Sequence, residues 1–173
     1  MSNIWIGWDN GVGTIAIIKA DGTACIEMTP IRRCLSYTKA KNYISRIDVP
    51  KVLALINGWL TDCNDRTQVH VGIERPFTSH LPIHKKGVVL GARMHEAQLI
   101  IVEDLLKLSY EFIDSGQWQK NLLPSGIKGS VELKKASLEI GKRKWPHLVD
   151  KMKKDADALF IAEYLRQQGT RVL

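Results

Sequence analysis

Residues 4–19 read IWIGWDNGVGTIAIIK. Ile4, Ile6 and Trp8 alternate with Trp5 and Gly7, the period of a mostly buried strand, and Asn10-Gly11 supplies the turn of a tight hairpin into the second apolar run, residues 15–19. Asp9 therefore stands at the lip of a sheet. A carboxylate buried beside an apolar strand is costly unless a cation or a hydrogen-bond donor pairs with it. Asp-Asn-Gly alone is good turn chemistry at any hairpin; the recurrence of the setting is what argues for more. VHVGIERPF, residues 69–77, is another strand-like run in which Val69, Val71 and Ile73 alternate; it ends on Glu74, and Pro76 stops the ladder. In KKDADALFIAEYLR, residues 153–166, Asp155 and Asp157 open the last helical segment. Three separated segments each bring a carboxylate to where one sheet edge can gather them.

Outward from these runs, strands over 3–9, 13–19 and 23–28, the last two joined at Asp21-Gly22, form an antiparallel meander. Residues 30–47 are polar and read as a loop or short elements. Asp48-Val49-Pro50 caps a helix over about 50–62, with Val52, Leu53, Leu55, Ile56 and Leu60 as its apolar stripe. A loop over 77–87 precedes a long helix over about 87–108. Its apolar residues, among them Val89, Met94, Ile100, Ile101 and Leu105, spread over more than one face. One face can pack on the sheet, and a second copy of the chain is the natural partner for another. A short strand, YEFID, and helices over 115–122, 131–144 and 155–167 complete the chain. A meander followed by strands alternating with helices implies an α/β fold, a mixed sheet covered by helices.

A chain of 173 residues fits one domain, 1–173, with a single good core. Hydrophobic residues at 45% and charged residues at 25%, without repeats, low-complexity tracts or a bilayer-length apolar stretch, describe an ordinary globule and argue against a membrane role. No signal-peptide pattern opens the chain, so a cytoplasmic location is expected. Cys25, Cys34 and Cys63 lack zinc spacing and read as reduced thiols, and the five histidines are scattered. The net charge is +7, with basic residues grouped at Lys85-Lys86, Lys134-Lys135, 142–144 and 151–154. Lysine runs alone would only solvate helix faces. Combined with clustered acids they suggest a polyanionic partner, lysines neutralising phosphates while the acids hold a divalent metal.

This organisation resembles the ribonuclease H-like superfamily and, within it, the RuvC-type Holliday junction resolvases, including phage versions, over nearly the whole chain. IGWDNGVGTIAII looks like the family's first-strand motif, VGIERPF its strand-four motif with an aromatic shortly after the Glu, and DADALFIA its closing helix. The resemblance implies a five-stranded mixed sheet, antiparallel meander then parallel strands, flanked by helices. It also implies a homodimeric, Mg²⁺-dependent endonuclease, Mn²⁺ substituting, that resolves four-way junctions and other branched DNA by paired nicks in recombination, repair or phage DNA processing. Two ions would be held by Asp9, Glu74 and Asp157, with Asp155 as a further ligand. Lys120 and Lys134 or Lys135 would contact phosphates, Phe77 would act as a wedge at the crossover, and Lys85, Lys86 and Lys154 would extend the DNA-binding surface. The dimer contact would be the helix over about 87–108, and the location the nucleoid or a host's cytoplasm. The chain departs from the pattern in two places. Asn10 follows the first Asp where proline is frequent, and Lys154 stands where bacterial relatives carry Asp or His. Asp155 and Asp157, about 200° apart on a helix, can share a metal only if one lies outside it; otherwise Asp155 is a helix cap.

Three other readings compete. Asp9-x-Gly11-x-Gly13-Thr14 also looks like the phosphate hairpin of actin-like ATPases and sugar or acetate kinases, but those need two such domains and the chain has room for one. An RNA-processing nuclease of the same fold and a catalytically impaired branched-DNA binder are the remaining alternatives.

Overall fold

The computed structural model describes residues 3–36, 42–76 and 86–170. The opening meander is β1 (Ile4–Trp8), β2 (Thr14–Lys19) and β3 (Ala24–Met28), antiparallel, with Ile6 opposite Ile17 and Ala16 opposite Ile26. The stretch over 30–47, read as a loop or short elements, holds short elements: a separate antiparallel pair, β4 (Ile31–Leu35) and β5 (Tyr43–Ile47). The missed signal is a β-rich run, Ile31 to Leu35, interrupted by two arginines that solvate it. Helix α1 (Val49–Trp59) is capped by Asp48, whose carboxylate accepts from the Lys51 N–H.

Strand β6 (Val69–Glu74) pairs parallel to β1, and β7 (Ser109–Ile113) pairs parallel to β6. The sheet order is β3-β2-β1-β6-β7. This is the mixed α/β sheet the sequence implied, a meander continued by parallel strands. Helix α2 (Lys86–Leu99) joins these last two strands and differs from expectation in its second half, where residues Ile100–Leu105 form a π-helical turn. The Leu106 N–H donates to the Ile101 carbonyl five residues back, and Lys107, at φ 55°, ends the element. Helices α3 (Ser115–Leu122), α4 (Ser130–Lys144) and α5 (Asp157–Thr170) follow. Among the described residues no helix is long and apolar enough to cross a membrane.

The alternation in β1 divides the core. Ile4, Ile6 and Trp8 face α1 and α2 together with Val69, Val71, Ile73, Met94 and Ile101, whereas Trp5 faces α5 with Ile18, Ile26, Trp118 and Phe160. Helix α5 lies directly on the second face because no side chain intervenes: a Cβ on Gly7 would sit 2.0 Å from the Ala158 carbonyl oxygen and 2.6 Å from the Ala162 nitrogen, and one on Gly72 would meet Leu165 and Ile161. Across its outer side α5 is tied to α4 by the buried Glu163, which accepts from Lys144 at 2.7 Å and from both Arg166 donors at 2.8 and 2.9 Å. Burial opposes its charge, but these partners prevail and hold the carboxyl down at about 2.

Gly7→Ala forces backbone against backbone and is expected to destabilise the chain by about 3 kcal/mol or more in denaturant unfolding. Gly58→Ala, in α1 with open space at its Cβ, is expected to be neutral or to stabilise by up to about 1 kcal/mol.

Candidate metal and nucleic-acid site

The parallel register sets Trp8 beside Ile73, so Asp9 and Glu74, each one residue further, leave adjacent strands at the same level. Both belong to the sheet face that α5 covers. The Asp9 N–H donates to the Thr14 carbonyl at 3.0 Å, closing the hairpin, and Gln98 of α2 donates to the Asp9 carbonyl at 3.1 Å. Gly13 leaves the room the carboxylate occupies, since a Cβ there would lie 2.1 Å from Asp9 Oδ2.

The third segment arrives from above. Helix α5 begins at Asp157, not at 155 as the sequence suggested, so Asp155 belongs to the extended approach to the helix. That departure from helical geometry lets two residues two apart in sequence face one point. Oxygens of Asp9, Asp155 and Asp157 lie within 4.8 Å of one another, and all three residues are buried. Glu74 hydrogen-bonds the Asp9 carboxyl and accepts from Trp118 Nε1 of α3 at 3.1 Å. Ser137 of α4 donates to Asp157 Oδ1 at 2.5 Å, and its oxygen accepts from the Ala156 N–H at 3.2 Å. Lys134, one turn earlier on α4, reaches Asp155 at 3.0 Å.

The electrostatics are those of too many acids for the cations present. Burial, then the hydrogen bond and charge of Glu74, push Asp9 far above the ordinary carboxylate range. Glu74 is raised chiefly by burial, against the hydrogen bonds it accepts. Burial and the neighbouring Asp155 push Asp157 up to about 7. Desolvation opposes charge on Lys134, but its bond to Asp155 and the fields of Asp155, Asp9 and Asp157 outweigh it and raise its pKa above the ordinary lysine value. One ammonium serves four carboxyls. Hard oxygen donors converging in a partly dry recess and holding protons for want of positive charge fit a divalent cation, and Asp9, Asp155 and Asp157 can hold one.

The remaining candidates disperse. Lys135 turns away from the site and pairs with Glu132 at 3.2 Å. Lys120, in the last turn of α3, and Lys154, beside Asp155, are exposed. Phe77 and Lys85 lie outside the described residues, and Lys86 is placed only as the first residue of α2. Sequence reasoning overlooked Gln98, Trp118 and Ser137. Gln98 had a signal, an amide on the same helical face as Met94 and Ile101, whose burial demands a partner. Ser137 lies one turn from Lys134, on the face that meets the acids.

No protein-family model matches the chain, and no curated protein matches it. Among solved structures the chain is similar to T. thermophilus RuvC in complex with a Holliday junction substrate, at 13% identity and a TM-score of 0.47 over 97% of each chain. It is similar also to another Thermus thermophilus RuvC structure, at 14% identity and a TM-score of 0.44 over 98% of each chain.

Between the ordinary value of 3.8 and about 7, the folded chain keeps a proton on Asp157 that the unfolded chain has released. The folded state binds more protons, so stability of the metal-free protein falls as pH rises through that window, by on the order of 4 kcal/mol from this group. Asp157→Asn removes the ionisation while its side-chain oxygen can still accept from Ser137. Urea unfolding from pH 4 to 8 is expected to show a decline in the parent that is clearly shallower in the variant.

Proposed function

We propose that the chain is a metal-dependent endonuclease acting on branched DNA, nicking opposing strands of a four-way junction as a homodimer. The observation that carries the reading is the convergence of Asp9, Asp155 and Asp157, with Glu74 bonded to Asp9, at one end of the parallel strands beneath Lys134. This donor set suits metal-assisted phosphodiester hydrolysis. Divalent ions bound there, Mg²⁺ by ligand type, would supply an activated water and charge stabilisation for the leaving oxygen.

The chain's own groups have separable roles. Asp9 and Asp157 would hold the metal from the strand layer and the helix layer, and the packing of α5 on the sheet sets their spacing. Asp155, outside the helix, adds an oxygen at the same point while its Oδ1 accepts from the Asp157 N–H at 3.4 Å, so its place suits a ligand role together with a capping one. Trp118 holds one Glu74 oxygen and Ser137 one Asp157 oxygen, which fixes the carboxylate planes before substrate arrives. Lys134 places a fixed positive charge where a phosphate would enter. The net charge of +7 and the exposed Lys120 and Lys154 suit a backbone-tracking contact.

The dimer reading is supported by apolar side chains left outward on α2 and the following turn, Val89 and Leu105, each at least 41% exposed. A twofold axis there would present two sites to strands of opposite polarity.

With Mg²⁺, the purified protein is expected to introduce paired nicks in a labelled four-way junction, and to leave linear duplex and an RNA–DNA hybrid largely intact. Asp9→Asn should retain junction binding while cleavage falls at least 100-fold. Cleavage confined to the hybrid would favour an RNA-processing role, and tight junction binding with no cut by the parent a binding-only one.

A further inference from the structure

A second cationic feature lies away from the acids, between the β4–β5 hairpin and α2. A cavity of about 270 Å³ is lined there by Arg32 of β4, Arg46 of β5 and Arg93 of α2, with Glu96 and an apolar wall that includes Ile47 and Met94. Arg32 and Arg46 are direct cross-strand partners in the antiparallel register. Like charges so placed sit about 5 Å apart at their Cβ atoms and destabilise the pair. The next residue on β4, Arg33, faces Ser45 rather than a charge and is set over the ring of Tyr43, 5.2 Å from its centroid. Arg32 and Arg46 instead converge on a concave surface, and neither forms a salt bridge with a carboxylate among the described residues. Arg32 and Arg46 outnumber the one carboxylate, Glu96, among the described residues that line the cavity, and leave it with excess positive charge.

We propose that this cavity is a phosphodiester-binding subsite, in which Arg32 and Arg46, supported by Arg93, grip the DNA backbone at a distance from the scissile bond. The inference rests on the nuclease reading and deepens it. Guanidinium forks bind pairs of phosphate oxygens in bidentate fashion, which one lysine cannot do, and a small recess selects a single phosphate over a broad acidic surface. An anion there also neutralises the opposed pair, so the local cost of the register becomes binding strength. Helix α2 links the two regions: Arg93 and Ala97 border the cavity, and Gln98, the next residue, holds the Asp9 carbonyl. A DNA arm seated in the cavity therefore docks on the element that also braces the metal-site hairpin.

The test compares the full-length parent with R32Q/R46Q, measuring anisotropy of a labelled four-way junction without divalent metal as KCl is raised. One lost phosphate contact in each cavity, two per dimer, is expected to weaken binding at low salt and to make the log–log salt dependence shallower by about 1.8. The Mg²⁺-dependent single-turnover rate at saturating junction should stay within about twofold of the parent. The melting temperature of R46Q should equal or exceed the parent's, because a like-charge pair has been removed. Should the double variant fold poorly, R32Q and R46Q singly are each expected to lower the slope in the same direction by less than the double variant does. Conversely, R32K/R46K should keep the parental slope while losing affinity. An unchanged slope and affinity in the glutamine variants, with a parent that binds and cuts junctions, would overturn the subsite and leave the nuclease reading standing. A parent that neither binds nor cuts DNA removes both.

Discussion

The direct contact of α5 with β1 and β6 is the constraint on which the rest of the structure depends. It exists because Gly7 and Gly72 offer bare backbone where a strand would ordinarily present side chains. With α5 seated there, its first residue, Asp157, falls above the strand ends that carry Asp9 and Glu74. Gly141 repeats the device in the next layer, since a Cβ on it would lie 2.5 Å from that of Ala156, and so α4 brings Ser137 and Lys134 to the same place. Small residues at three crossings thus convert a layered α/β packing into a recess that faces acids toward one another.

That arrangement opposes the preferences of its parts. Four carboxyls share a region with one ammonium, and the raised proton affinities of Asp9, Glu74 and Asp157 measure the mismatch. A fold selected only for stability would place amides or apolar groups at these positions. The surrounding hydrogen bonds offset this only in part; those from Trp118 and Ser137 favour the charged forms of Glu74 and Asp157 and fix their orientations but carry no positive charge. A divalent cation held by Asp9, Asp155 and Asp157 would relieve the mismatch. The opposed Arg32 and Arg46 are the same situation with the sign reversed, an unfavourable pairing of like charges that an anion would resolve.

Much of this was legible in the chain. The alternation of Ile4, Ile6 and Trp8, the Asn-Gly turn and the echo of the pattern at Val69 to Glu74 made two strand-end acids readable, because period and turn chemistry are local properties. Asp155 was ambiguous, because its geometry depends on where α5 starts, and two residues' difference in a helix boundary decides whether two carboxylates converge or diverge. Lys134 and Lys135 are indistinguishable in sequence; only the packing of α4 on α5 turns one toward Asp155 and leaves the other to Glu132. The π-helical turn after α2 was hidden as well, since Ile, Val and Leu satisfy either hydrogen-bond ladder. Trp118 and Ser137 became visible only when the layers were assembled, for their partners lie 44 and 20 residues away.

The central claim is that the acid cluster is a divalent-cation site whose protons are place-holders for metal. The most direct measurement is calorimetric titration of Mn²⁺ into the metal-free protein near pH 7, repeated in buffers of different ionisation enthalpy so that released protons are counted. Saturable binding with release of about one proton or more per chain, lost in Asp9→Asn, is the expected result. Absence of binding, or binding with no proton released, would contradict it.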